Sequence, residues 1–404
     1  MAVVTESKVP HQLKSTWRKI PVPGLILLLL FVPLINGLTG QNTGWRWLTA
    51  SAVLWGYEFW LVGRFLNLNR SPDQDELYDR FGLGTAITLS RGFLLVVTGG
   101  FILLPHLHGA APWIPAGFYL LAVISDGFDG YFARKRDHVT VLGQEIDMRF
   151  DALGILLMSI LGIYYGKLPL WYLLIGLAYY LFSFGRWWRV RKGKPVFPLP
   201  PQRHRSVLAG FQMGFLGVML WPPFGSVSTR LASWVFGLPM LVTFSRDFLI
   251  MRGTLQPDTK LFVRWEANFL STSQKILLPL SRIATLLFLV ILVNSVPNML
   301  MTFPLPGWSN IGNLPPELIA GVLILGVVSV VFGLVPRLGS LLLASYTALW
   351  LTRYGTDWRI ETMLLLLLIS LEFGGGRFCL FPLEERWLFR TYVDTQDRHE
   401  IVVS

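Results

Sequence analysis

The chain is short of the two things that a water-facing globule needs. Only 15% of its 404 residues are charged, against about 25% in a typical soluble domain, so there is too little polar surface to cover it. Its single cysteine, Cys379, excludes an intramolecular disulfide and any zinc site built on several cysteines. No Gln/Asn-rich or Gly/Ser-rich tract interrupts it, and no repeat of constant period runs through it. What it has instead is apolar sequence: 53% hydrophobic residues and a mean hydropathy of +0.52. Several apolar runs approach the roughly 20 residues that cross a bilayer as helix. These features indicate a polytopic membrane protein and exclude a soluble domain or a secreted disulfide scaffold.

The fold class expected is all-α, because open sheet edges do not survive in lipid. Spans are expected at 22–38, 46–63, 86–105, 113–132, 148–165, 168–185, 206–222, 230–247, 279–297, 317–335, 338–352 and 358–374, about twelve transmembrane helices. The first comes after Lys14, Arg18 and Lys19 with no small-residue cleavage site behind it, and reads as a retained anchor. Polar residues 64–84 separate an N-terminal helix pair from the helices after it, and residues 246–276 read as an amphipathic linker on the membrane face. The domain division is therefore 1–84, an N-terminal helix pair with its linker; 85–250, a six-helix core; 251–278, a linker; and 279–404, a four-helix module with a tail.

The formal charge is +11 and the pI about 9.9. Lys and Arg gather in alternate loops, from Lys8–Lys19 through Arg64–Arg80, Arg134–Arg136, Arg186–Arg205 and Arg246–Arg264 to Arg377–Arg390, while 39–45, 106–112 and 298–316 hold none. This asymmetry is the positive-inside pattern of a multi-pass cell-membrane protein with both termini cytoplasmic, its basic loops meeting anionic lipid. The aromatics sit inside apolar spans and not between the basic residues, so no nucleic-acid partner is expected.

One region breaks the apolar rule. Asp126 and Asp129 lie three apart, Asp147 and Asp151 four apart, and each spacing keeps its pair on one helix face. The loop between them is short, so two neighbouring helices can bring four carboxylates together at one membrane face. Carboxylates at membrane depth are costly and repel one another. Hard divalent cations with oxygen ligands compensate them; salt bridges to Arg134, Lys135, Arg136 or Arg149 are the plainer alternative. The glycines and Ala133 are unexplained by neutralisation alone.

The whole run, Asp126, Asp129, Gly130, Ala133, Arg134, Gly143, Asp147 and Asp151, resembles the signature of the CDP-alcohol phosphatidyltransferases, D-x-x-D-G-x-x-A-R and then G-x-x-x-D-x-x-x-D, with no departure. Ile87–Arg91 is similar to the sequence that opens the family's first core helix. The resemblance implies a six-helix core over about 85–250 that transfers a phosphatidyl or related group from a CDP-linked donor to a hydroxyl, with release of CMP. It implies a two-metal Mg²⁺ or Mn²⁺ site on Asp126, Asp129, Asp147 and Asp151, with Asp151 also the general base. It implies donor contacts at Arg91, Gly130, Ala133 and Arg134, space for the donor at Gly143, and a homodimer. The expected partners are a CDP-linked lipid, CDP-diacylglycerol above all, and a small polar alcohol; a soluble CDP-alcohol donor with a diacylglycerol acceptor uses the same motif. An ion-binding transporter or assembly subunit without transferase activity is the alternative.

Weaker signals surround this one. Arg186–Lys194 and Arg203–Arg205 are basic and aromatic-rich, reading as an interfacial anchor or as a phosphate pocket carried by Arg186, Arg203 and Arg205. His106 and His108 lack an acidic partner for a metal site. Gly374–Gly376 is no phosphate loop, because no Lys-Ser/Thr helix comes after it. Glu317 reads as a dipole-complementing acid at a helix start. Ser281–Arg282, Glu317–Gly326, the Pro336–Arg337 turn and Gly374–Arg377 resemble a DoxX-like four-helix module.

Overall fold

The computed structural model describes residues 9–109, 111–135, 140–200, 203–256, 278–295 and 316–374, with a few isolated positions beyond them; no side chain is described at 127–135, 203–206, 288, 292–295 or 316. The regular structure of the described residues is helical, and they contain no strand, only an isolated antiparallel bridge between Arg70 and Leu77. The helices are α1 His11–Lys19, α2 Pro21–Thr39, α3 Gly44–Arg64, α4 Leu83–Gly99, α5 Trp113–Lys135, α6 Val141–Tyr164 and α7 Leu173–Arg191. They continue as α8 Arg203–Met219, α9 Ser226–Met251, α10 Leu278–Ser295, α11 Pro316–Phe332, α12 Pro336–Tyr354 and α13 Trp358–Phe373.

Each expected span falls on one of these helices. Among the described residues, three stretches are long and apolar enough to cross a membrane: His11–Thr39, Leu83–Leu103 and Ser226–Met251. Shorter apolar helices lie at Trp113–Asp126, Val207–Met219, Leu278–Ile291 and Glu317–Phe332. On α2 the side chains of Leu25, Ile26, Leu27, Leu29 and Leu30 stand exposed, an apolar surface of the kind that lipid covers.

Two boundaries differ from the sequence expectation. The span placed at 148–165 begins at Val141, because Thr140 caps the helix by accepting a hydrogen bond from the Gly143 amide at 3.0 Å. The span placed at 168–185 begins at Leu173 after a 3₁₀ turn at Leu170–Tyr172 and runs on to Arg191. Pro169 accounts for the late start, since the residue before a proline is steered away from helix, and the added C-terminal turns carry Arg186, Arg189 and Arg191. Most of the expected linker at 251–278 lies outside the described residues.

The chain divides into two compact units. The first comprises residues 1–166, 170–179 and 216–222. In it, tryptophan indoles tie helix to helix: Trp17 donates to the Phe59 carbonyl at 3.1 Å, Trp55 to Pro21 at 3.2 Å, and the fully buried Trp47 to Val97 at 3.1 Å. Burying an indole N–H demands such a partner, and each bond fixes the register of a pair. The polar segment after α3 is itself folded: the buried Asn69 donates its amide to the carbonyls of Tyr78 and Arg80, both at 3.1 Å. The Val141 amide then donates to Arg70 at 3.0 Å, fastening the start of α6.

The second unit comprises residues 167–169, 180–215 and 223–404. Here α10 packs on α11 and α13, α11 on α12, and α12 on α13, while α9 lies against α12 and α13. The Gly225 amide donates to Thr352 Oγ1 at 2.7 Å, and Arg282 donates from Nε to the Val330 carbonyl at 2.8 Å. Gly333, at φ +65°, ends α11, and Pro336 opens α12 at its first turn, where a proline costs no hydrogen bond.

Candidate active site

The site is built in the first unit from α4, α5 and α6. On α6 the residues Leu142, Ile146, Phe150, Leu153, Leu157 and Leu161 are buried at helical spacing. Asp147 and Asp151 each come one position after a buried residue, about 100° round the helix, and so stand at the edge of the packed face. On α4 the buried stripe is Thr85, Thr88, Arg91, Gly92 and Leu95. It therefore drives a guanidinium into the contact with α5 and α6, the helices α4 packs against.

Arg91 is the centre of the arrangement. Its side chain is 3% exposed. Nη1 pairs with Asp126 on α5, and Nη2 with Asp147 at 2.6 Å and Asp151 at 3.1 Å on α6. Nη2 also donates to the Asp147 backbone carbonyl at 3.0 Å. The three carboxylates are 31–38% exposed, so they open toward solvent while the cation that holds them does not. Asp126, Asp147 and Asp151 each offer an oxygen, and these oxygens lie within 4.8 Å of one another.

The donor set fits a hard divalent cation: all oxygen, anionic and convergent from two helices. Of the sequence-expected site residues, the structure brings together Asp126, Asp147, Asp151 and Arg91. The side chains of Asp129, Gly130, Ala133 and Arg134 lie outside the described residues, although their backbone belongs to α5. Arg203 and Arg205 stand in the first turn of α8 with side chains outside the described set, and Arg186 is exposed on α7. These three arginines belong to the second unit.

Arg149, one of the four basic residues in the salt-bridge alternative to a metal site, pairs instead with Glu145 one turn back, at 3.0 Å from Nε, and lies 4.4 Å over the Phe65 ring. The i,i+4 geometry of a single helix favours that local pair. Gly143 has a packing reason of its own, because a Cβ there would fall 3.0 Å from Thr140 Oγ1 and 3.3 Å from Thr85 Oγ1. Those two hydroxyls are 3.2 Å apart and join the start of α6 to α4. The His106 ring meets the Tyr164 carbonyl at 2.9 Å and lies tilted 4.3 Å from that residue's ring, and no histidine enters a metal-ligand group among the described residues.

One charged residue near the site is absent from the sequence expectations. Glu58, in the middle of α3, is 2% exposed and its carboxylate lies beside Gly92. A signal for it exists, for it is the sole acidic residue of an otherwise apolar helix, and such residues mark function by default.

No curated protein and no solved structure matches the chain. Residues 81–245 match the family model of the CDP-alcohol phosphatidyltransferases, and this segment contains Arg91 and all three of the clustered aspartates.

Proposed function

We propose that this protein is an integral membrane transferase that moves a phosphatidyl group from CDP-diacylglycerol to the hydroxyl of a small polar alcohol, releasing CMP. The matched segment supports phosphatidyl transfer from a CDP-alcohol donor. The observation that carries the reading is the convergence of three carboxylates from two helices inside that segment, their oxygens within 4.8 Å. Apolar helices with exposed leucines support a membrane setting, where a lipid-linked donor enters sideways. Under this reading the chain is a multi-pass protein of the cell membrane with its termini and site on the cytoplasmic side. The four C-terminal helices form a DoxX-like module, and the protein pairs as a homodimer.

Asp126, Asp129 and Asp147, with Asp151, hold Mg²⁺ or Mn²⁺ in this reading. When bound, the metal supplies neutralisation of the charge on the bridging phosphates. The protein does the rest. Asp151 accepts the proton of the acceptor hydroxyl as its oxygen attacks the phosphorus that bears diacylglycerol. The bond from that phosphorus to the CMP oxygen breaks, and CMP leaves with the electron pair. Gly130, Ala133 and Arg134, four or more residues beyond Asp126 on the same helix, hold the cytidine diphosphate portion, and the basic residues Arg186, Arg203 and Arg205 meet the phosphates of anionic lipid headgroups.

The test is incubation of the purified protein with CDP-diacylglycerol, Mn²⁺ and a panel of polar alcohols, reading CMP release and lipid products by mass. Folded Asp151→Asn is expected to release CMP at least about 100-fold more slowly, the usual worth of a general base. An unchanged rate in that variant refutes the reading.

A further inference from the structure

Glu58 lies outside the matched segment, on the helix pair that precedes it. It is 2% exposed, and neither carboxylate oxygen has a hydrogen-bond partner. A buried carboxyl group left without hydrogen bonds is costly. Its Oε2 is so close to α4 that a Cβ built on Gly92 would fall 2.6 Å from it. Gly92 adjoins Arg91 in the chain, so the Glu58 carboxyl group lies against the turn of α4 that carries the buried guanidinium. The segment Arg91–Gly92 therefore meets carboxyl groups from three helices, Asp126, Asp147 and Asp151 at the guanidinium and Glu58 at Gly92.

A divalent ion bound to those three aspartates would compete with Arg91 for the carboxylates that it now contacts. Like charges so close repel strongly where water is scarce, so the guanidinium has to give way. Arg91 is buried, and Glu58, packed against the next residue Gly92, is a buried carboxyl group with no hydrogen bond. We propose that Glu58 receives the Arg91 guanidinium when a divalent cation enters the aspartate cluster, which makes the N-terminal helix pair a working part of the metal site. Glu58 is then a positioning residue acting through Arg91. Gly92 is the position that admits it, since any side chain there would push the carboxylate away. This inference rests on the reading of the aspartates as a divalent-cation site.

The test is Mn²⁺ binding to the full-length protein in lipid nanodiscs without substrate, read from the electron paramagnetic resonance signal of the free ion. Glu58→Gln should weaken binding by about tenfold or more, the span of an ordinary coupling between two sites, and Glu58→Asp should recover part of the loss. Arg91→Met should strengthen binding, because the competing cation is gone, and in that background Glu58→Gln should have no effect. Parent-like affinity in Glu58→Gln overturns the inference, as does an equal loss with and without Arg91, which would mark a packing effect. A structure of the parent protein with Mn²⁺ decides the matter even if Glu58→Gln does not fold: a guanidinium seated on Glu58 supports the inference, and one still bridging the aspartates overturns it. A parent protein that binds no Mn²⁺ refutes the metal-site reading too, whereas binding that ignores Glu58 refutes this inference alone.

Discussion

Replacing Arg91 by methionine keeps an unbranched apolar stem in the helix and removes the charge that bridges Asp126, Asp147 and Asp151. Three carboxylates then face one another with oxygens within 4.8 Å. Coulomb's law sets each repulsion at about 0.9 kcal/mol in water and about 3.5 kcal/mol at an effective dielectric of 20. The carboxylates are about one-third exposed, so the lower figure is the better guide, and three pairs sum to about 3 kcal/mol. For a unit of this size that lowers the melting temperature by on the order of 10 °C. The assay is thermal unfolding monitored by tryptophan fluorescence in nanodiscs, once with a chelator and once with Mn²⁺. The variant should melt well below the parent in chelator and regain most of the difference in Mn²⁺, because the ion neutralises the same oxygens. A variant that melts with the parent in chelator, or that ignores Mn²⁺, would show that the aspartates do not form a repelling cluster.

Thr140→Ala removes the cap that accepts from the Gly143 amide and the hydroxyl contact with Thr85; a loss of about 1 kcal/mol in stability is expected, with faster hydrogen exchange confined to the first turn of α6, and uniform exchange across the helix would refute the cap. Burial holds the Lys167 ammonium below the ordinary lysine range. The folded state thus binds fewer protons than the unfolded chain between the two pKa values, so this residue's contribution to stability grows as pH rises through that window. In Lys167→Met the rise of stability with pH over the alkaline range should be shallower than in the parent, and an identical slope would count against the burial argument.

The acid spacings of the site are readable in the sequence because they are local. Three- and four-residue intervals put Asp126 with Asp129, and Asp147 with Asp151, on common helix faces whatever the rest of the chain does. The cation that holds the cluster is not readable there. Sequence proximity points to Arg149, yet that guanidinium is taken by Glu145 and the Phe65 ring, and Arg91 arrives from 35 residues before Asp126. Likewise the start of α6 depends on a threonine cap whose second hydroxyl, Thr85, belongs to α4.

By itself the sequence determined that this chain makes apolar helices and that its acids fall in pairs along two of them, because both result from the repeat of a single helix and from the scarcity of charge. Only the tertiary structure decided which charges meet. That Arg91 lies among three aspartates while Glu58 packs against the adjacent Gly92 depends on how closely α3, α4 and α6 approach, and the approach is set by small residues such as Gly92 and Gly143. Coulomb pairing is long in sequence and short in space, so no local pattern records it.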